Sequence, residues 1–443
     1  PYESDENYRE FQKERFMKVL MFGWEFPPHI LGGLGTACHG LTKGLSNMDV
    51  EVLFVMPSAS GDEDQRSVKI INASDIEISN NVEDVKTFLE NVQFLRVGTN
   101  MVPYLDPEQF TEMVEKSRKG QIKGYKSFLG QKYKFSGKYG SNLMEEVSRY
   151  AMVAAEIAKT QEFDVIHAHD WLTYLAGIAA KKLTGKPLVV HVHATEFDRS
   201  GENVNTLVYD LEKRGMKEAD MVIAVSNLTR NIVISKYGIH PSKVVTVHNA
   251  VDFDGFEQME IDSRIDEKIV TFLGRITYQK GPEYFIEAAA KVLKRYPNVR
   301  FVMAGSGDLL NRSIRRVAKL GIATKFHFTG FLRGEDVKRM FAFSDVYVMP
   351  SVSEPFGISP LEAMRSNVPT IISKQSGVAE VLHHAIKVDF WDIDALADSI
   401  YGLLAYPALS STAVKNGLNE VNALRWDNAA FKIKEIYTQL SKK

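Results

Sequence analysis

What most constrains this chain is a unit that recurs along nearly its whole length: a short apolar run, a loop that often carries glycine, then a stretch with helical spacing. Lys18 to Trp24 is the first such run. Gly32 and Gly33 follow, Thr36 to Ser46 reads as a helix, and Val50 to Met56 is the next run. Strand, glycine loop, helix and strand in that order make a right-handed parallel unit. Strands recur at Val165 to Ala168, Leu188 to Val192, Met221 to Val225 and Val244 to Val247. Near Phe253 the composition turns polar and acidic, through Glu257 and Asp266, and reads as a linker. A second series then begins at Lys268 to Leu273 and repeats at Val299 to Ala304, Phe326 to Phe328, Val346 to Met349 and Thr370 to Ile372. At 443 residues the chain is too long for one small core. Two doubly wound α/β domains in tandem are expected.

Composition narrows the function by exclusion. Lys and Arg number 54 against 56 Asp and Glu, so no charge excess favours nucleic acid. No apolar run is long enough to span a bilayer, because charges and prolines cut the strands. Pro1 to Arg15 is charged and lacks an apolar stretch, so it reads as a helical or disordered extension rather than a secretory signal. Cys38 is the single cysteine, which forbids a disulfide within the chain and suits a reducing cytoplasm. From about Asn100 to Ser141 the chain is aromatic and basic (Tyr104, Phe110, Tyr125, Phe128, Tyr133, Phe135, Tyr139) and long for a connection. Those rings read equally as an oligosaccharide-stacking insertion or an ordinary helical subdomain.

Chemistry concentrates at strand ends. Val346 to Met349 is followed by Ser353-Glu354-Pro355-Phe356-Gly357-Ile358-Ser359-Pro360-Leu361-Glu362. Pro360 suits a first helical turn, and Glu362 there faces the positive helix end. Glu354 lies beyond the carboxyl end of a strand, where open α/β sheets bind ligands. Gly274-Arg275 ends the first strand of the second series, and Lys280-Gly281 opens the next helix. Arg275 offers a planar fork and Lys280 a point charge, together able to clamp a diphosphate. Singly each would be a solvated surface cation. With two carboxylates from a neighbouring strand they form a site. Gly305-Ser306-Gly307 reads as a tight turn beside the ligand, since the third glycine of a dinucleotide fingerprint is missing. Ser376-Gly377 begins a further helix, either turning its free N–H groups to an anion or capped by Ser376. Gly32-Gly33-Leu34-Gly35 admits an anion or a packing turn. His191 and His193 share one face of a strand, with His193 nearer the cleft end. His167-Ala168-His169-Asp170-Trp171 offers a carboxylate and an indole. A zinc site among His167, His169, His191 and His193 is set aside because no Cys or carboxylate spacing accompanies them. Asp252-Phe253-Asp254 and Asp392-Ile393-Asp394 fall on a linker and a helix start. No metal and no cofactor are expected.

With Gly274-Arg275…Lys280 and the Glu354…Glu362 pair in this order, the chain resembles the retaining glycosyltransferases of the GT-B fold. The resemblance is to family 4 and the glycogen and starch synthases, and runs from Met17 to about Trp426. It implies an extension over 1–16, an acceptor-side Rossmann-like domain over 17–255, a nucleotide-sugar-binding Rossmann-like domain over 256–422, and a helix over 423–443 that returns to the first domain. The two domains would face a cleft. It implies that Arg275 and Lys280 hold the donor diphosphate and the leaving group. Glu362 would take the ribose hydroxyls, and Glu354 the hydroxyls of the transferred sugar. Gly33, Gly274, Gly305, Gly377 and the Phe356-Gly357-Ile358 backbone would line the donor, His193 would meet the sugar's C6 hydroxyl, and Asp170 with Trp171 would face the acceptor. The co-substrate would be ADP- or UDP-glucose and the acceptor an α-glucan, as in glycogen synthesis; a lipid-linked or surface-polysaccharide acceptor is the alternative. Lys116 to Lys138 leaves contact with a membrane surface open. Ile30 stands where those synthases carry lysine, and Ser376 where a first glycine is usual. A non-catalytic relative is disfavoured by the intact Arg275, Lys280, Glu354 and Glu362, and an oxidoreductase by the absence of G-x-G-x-x-G after a first strand. Nothing in the sequence sets an oligomeric state.

Overall fold

The computed structural model describes residues 16–29, 32–78, 130–140, 142–251 and 266–442. Outside them lie the charged N-terminal stretch, Ile30, most of the aromatic insertion, the Asp252–Asp254 string and the linker expected around Phe253.

The first sheet contains β1 Met17–Phe22, β2 Val50–Met56, β3 Lys69–Asn72, β4 Val165–His169, β5 Leu188–Val192, β6 Met221–Ala224 and β7 Val244–Thr246. Its order is β3-β2-β1-β4-β5-β6-β7. The second contains β8 Lys268–Leu273, β9 Val299–Ala304, β10 Phe326–Gly330, β11 Val346–Met349, β12 Thr370–Ser373 and β13 Ile386–Val388. Its order is β10-β9-β8-β11-β12-β13. In both, the chain winds outward on one side and then returns beside the strand where it began, at β1/β4 and at β8/β11. Such a reversal leaves a crevice at the carboxyl ends of the two central strands, because the flanking connections leave to opposite faces. Two parallel sheets with this winding are the doubly wound α/β arrangement expected from the sequence.

The chain forms two compact units. One takes Leu41–Val189 and Ala430–Lys443 together with the chain up to Ile30; the other takes Leu31–Gly40 and Val190–Ala429. In the first, the Tyr150 hydroxyl lies 3.1 Å from the Gly23 carbonyl and 2.8 Å from that of Val55, tying a helix (Leu143–Thr160) to the ends of β1 and β2. The helix Trp426–Ser441 adds Tyr437, hydrogen-bonded to His167, and Lys434, which donates to the Met48 carbonyl at 2.6 Å. In the second unit the helix Pro282–Arg295 shows why such segments are helical. Pro282 opens it, Glu283 sits in the first turn and Lys294 and Arg295 in the last, matching the helix dipole. Its buried stripe, Phe285, Ile286, Ala288, Ala289 and Val292, packs against Val270, Phe272 and Phe301 of the sheet.

Several details differ from the sequence reading. β3 and β13 were not anticipated; both are short edge strands, partly exposed and without a continuous apolar run. Ser376 caps nothing: its hydroxyl donates to the Ser373 carbonyl at 2.7 Å, and the chain continues into the 3₁₀ turn Gly377–Glu380 rather than a full helix. Asp392 does cap its helix, accepting from the Ala395 N–H at 2.9 Å. Of the insertion's described rings, Phe135 is in the core and Tyr133 lies under Arg149, so they pack rather than present a stacking surface; Tyr139 is exposed. Among the described residues no helix is long and apolar enough to cross a membrane.

Gly305 shows how tightly the second sheet's loops are fitted. It sits at φ 144°, its N–H donates to the Gly330 carbonyl at 2.8 Å, and a Cβ would fall 1.8 Å from the Gly274 carbonyl oxygen. Gly305→Ala should therefore destabilise the protein by about 2–4 kcal/mol, from backbone strain plus overpacking. A Tm equal to the parent's would refute this account of the loop.

Candidate active site

The loop after β8 carries the first two candidate groups. Ile276 is fully buried and pins it, with its N–H on the Ser306 carbonyl at 2.9 Å and its own carbonyl accepting from the Leu309 N–H at 3.0 Å. The chain then forms the 3₁₀ turn Tyr278–Lys280 and enters the helix Pro282–Arg295. Arg275 is exposed and donates to Gln279 Oε1 at 3.4 Å. Lys280 points back across the crevice end of the sheet.

The loop after β11 supplies Glu354. The residue is only 6 % exposed, and its carboxylate pairs with Lys280 Nζ and accepts from the Ser351 hydroxyl at 3.2 Å. The backbone fixes this carboxylate from both sides. The Val352 N–H donates to the Gln279 carbonyl at 2.9 Å, joining the two loops directly. The Glu354 N–H donates to the Gln375 carbonyl at 3.0 Å, and the Glu354 carbonyl accepts from the Gly377 N–H at 2.8 Å. Gly377 has to be glycine here: a Cβ would lie 2.1 Å from the Pro355 carbonyl oxygen and 2.5 Å from the Ser226 side chain. Phe356 is buried and its carbonyl accepts from the Val378 N–H at 2.8 Å, while Gly357 has φ 104°. The carbonyl of Ile358 accepts from the Leu361 and Glu362 N–H groups.

Glu362 lies in the first turn of the helix Ser359–Arg365. Its side chain is half-buried with the carboxyl group enclosed, and this desolvation pushes its pKa up to about 7. Among the described residues no hydrogen-bond donor reaches it. Tyr347 of β11 ties this helix to β8: its hydroxyl meets Ser359 Oγ at 2.8 Å and lies 3.4 Å from the Leu273 carbonyl. Burial raises the Tyr347 pKa, Ser359 lowers it, and the charges of Glu354 and Glu362 raise it further, so both carboxylates stand near one phenol.

The other candidates are placed as follows. The rings of His191 and His193 stack with centroids 4.3 Å apart, the same-face arrangement expected for a strand. Burial depresses the His193 pKa to about 3, so its imidazole is neutral and able to hydrogen-bond a hydroxyl. Gly33 begins the helix Gly33–Ser46, and a Cβ on it or on Gly32 would meet nothing within 4 Å. Among the described residues, packing therefore does not explain these glycines. Asp170 precedes the helix Trp171–Thr184 at φ 58° and ψ 170°, a conformation that costs a non-glycine residue about 1–3 kcal/mol. Its side chain makes no cap bond to that helix. Trp171 is 9 % exposed, leaving little ring face for a sugar.

The sequence reading missed Ser351, Gln279 and Tyr347. Gln279 and Tyr347 join the Glu354 loop to the end of β8, a contact that no local spacing marks, whereas Ser351 bonds Glu354 within its own loop and is a serine like any other in the sequence.

Comparison with known proteins identifies the family and the fold. The family profile "Glycosyl transferases group 1" matches residues 256–420, and "Glycosyltransferase Family 4" matches residues 139–254. An uncharacterized glycosyltransferase of Methanocaldococcus jannaschii is 29 % identical, over 95 % of this chain and 98 % of its own length. A glycogen synthase of Mycobacterium tuberculosis is 24 % identical, over 95 % of this chain and 94 % of its own. Among solved structures, sucrose-phosphate synthase from Thermosynechococcus elongatus superposes with a TM-score of 0.70 at 18 % identity, covering 96 % of this chain and 99 % of that one. The chain belongs to the family 4 glycosyltransferases of GT-B fold, in their glycogen synthase-like neighbourhood.

Proposed function

We propose that this glycosyltransferase moves a glucosyl residue from ADP- or UDP-glucose to an α-glucan with retention at the anomeric carbon. The observation that carries the reading is the enclosed Lys280–Glu354 pair at the switch point of the second sheet, with Arg275 on the same loop. The glycogen synthase among the relatives supports a glucan acceptor. A strained Asp170 ahead of Trp171 supports an acceptor-side role for that carboxylate, since strain persists where surrounding structure holds it for use.

In this mechanism the bond between the anomeric carbon and the diphosphate oxygen breaks. Positive charge grows on the sugar ring and negative charge on the departing nucleoside diphosphate. Arg275 and Lys280 stabilise the latter, and each such preorganised contact supplies about 2–4 kcal/mol at the transition state. The two cations answer the leaving group's charge with no step routed through a metal. Glu354 takes the hydroxyls of the transferred sugar while neutralising Lys280 in the resting site. Neutral His193 hydrogen-bonds the C6 hydroxyl without adding charge beside the developing cation. Glu362 accepts from the ribose hydroxyls. Gly33, Gly274, Gly305, Gly377 and the Phe356–Ile358 backbone line the donor. The leaving phosphate oxygen takes the acceptor hydroxyl's proton on the same face from which the acceptor attacks, giving retention. A reducing cytoplasm suits a chain whose single cysteine, Cys38, is buried.

The direct test is release of nucleoside diphosphate from a panel of nucleotide sugars, with and without maltooligosaccharides. ADP- or UDP-glucose with the oligosaccharide should give the highest rate and an α-linked product. Turnover that requires a polyprenyl phosphate acceptor instead would replace the glucan reading. Glu354→Gln and Lys280→Ala should each lower kcat by at least about 10²–10³-fold. Near-parental turnover in both would remove the pair from the chemistry.

Glu362 gives a pH dependence. Its folded pKa of about 7 lies above the ordinary glutamate value of 4.5. The stability this group contributes is thus present below the lower value and lost as pH rises through the higher one. Binding has the opposite sign, because accepting from ribose hydroxyls requires the ionised form. The donor KM should fall as pH rises from about 6 to about 8, and Glu362→Gln should flatten that slope. A pH-independent KM in the parent protein would refute it.

A further inference from the structure

We infer that Asp198 is a positioning residue for the Glu354 loop and acts through the hydroxyl of Ser353. The inference rests on the reading of Lys280 and Glu354 as the reacting pair.

Asp198 lies on the short helix Glu196–Ser200 and is 2 % exposed. Its Oδ2 closes a capping box, accepting from the Thr195 N–H at 2.7 Å and the Thr195 hydroxyl at 2.8 Å. Those bonds account for a local structural role and need only one oxygen. Oδ1 is used differently: it accepts from Ser353 Oγ at 2.6 Å, across 155 positions of sequence. Ser353 is the residue directly before Glu354.

The support on the Asp198 side is rigid. Glu196 Oε1 accepts from the Ser200 hydroxyl at 2.9 Å and the Asn205 N–H at 3.1 Å. Arg199 lies between Glu196 and Glu212, and Glu212 also accepts from the Glu196 N–H at 3.1 Å and from the buried Tyr237 hydroxyl. Fully partnered buried networks of this kind hold one geometry. The same helix packs against the Tyr278–Lys280 turn, so one element braces both members of the pair. On the loop side, the Val352 and Glu354 N–H groups fix the backbone on Gln279 and Gln375. Ser353 Oγ adds the side-chain tie between those two points. Without it, only backbone bonds hold this stretch, and the Glu354 carboxylate has more freedom to shift against Lys280. A displacement of about 1 Å at a reacting group can cost about a hundredfold in rate.

A purely structural account makes Asp198 a helix cap and nothing more. Ser353→Ala separates the two, because it removes the tie and leaves the capping box whole. The experiment uses the full chain with whichever nucleotide sugar gives the highest turnover. It compares Ser353→Ala, Ser353→Thr, Asp198→Ala, the double variant and Glu354→Gln. Ser353→Ala should lower kcat about tenfold with the donor KM within about threefold and an unchanged Tm, the signature of an interaction that matters in the transition state. Ser353→Thr, which keeps the hydroxyl, should recover most of that loss. Asp198→Ala should lower both kcat and Tm, and adding Ser353→Ala to it should lower kcat no further. Parental kcat in Ser353→Ala while Glu354→Gln is inactive overturns this inference alone, as do additive losses in the double variant. An active Glu354→Gln overturns the reading of the pair, and this inference with it.

Discussion

The arrangement turns on one part-buried ion pair. Lys280 and Glu354 come from different strand ends; Glu354 is buried and Lys280 half-buried where they meet. Taking both charges out of water costs several kcal/mol per ion, so such a pair lasts only where geometry and further hydrogen bonds offset the desolvation. Ser351 supplies one such bond to the carboxylate, and the Val352 to Gln279 backbone bond holds the two loops in register. Replacing the pair by apolar groups would suit stability at least as well. Its presence at a switch point, with Arg275 on the same loop, is the physical basis for giving it a function.

The pair is held by close backbone approaches more than by side-chain bulk. Gly377 lets the 3₁₀ turn Gly377–Glu380 touch the Pro355 carbonyl and Ser226, and Gly305 lets the loop after β9 lie on Gly274. Glu380 extends the same bracing. It accepts from the Asn227 and Leu228 N–H groups and from His248 Nε2. Burial alone would raise its pKa, but those hydrogen bonds outweigh it and hold the carboxyl below its ordinary value. That carboxylate both caps the helix Asn227–Tyr237 and stitches it to the loop that receives Glu354.

Desolvation tunes other groups in opposite senses. It keeps His193 neutral and favours the protonated form of Glu362, while Glu354 is left facing a cation. The resting site is therefore short of mobile charge except at Arg275, which is exposed. In the proposed mechanism the donor diphosphate brings the anion that Arg275 and Lys280 await, and the ribose brings the donors that favour ionised Glu362. Binding and protonation are linked through this one carboxyl.

The sequence by itself determined the α/β class, the two series of strands and the candidates Arg275, Lys280, Glu354 and Glu362. Each rests on short-range pattern: apolar runs of strand length, glycine loops, and a proline followed by an acidic residue in a first turn. Lys268–Leu273 and Val346–Met349 were legible to the residue because buried parallel strands read as largely apolar runs. β3 and β13 were not, because short, half-covered edge strands need no such run. Tertiary structure alone decided which polar groups became partners. Ser376 could have capped a helix and instead donates to Ser373. Asp198 reads locally as half of a capping box, and only the fold shows its second oxygen on Ser353. A hydrogen bond over that sequence distance leaves no periodicity or spacing behind, since it depends on where two separate backbones come to rest.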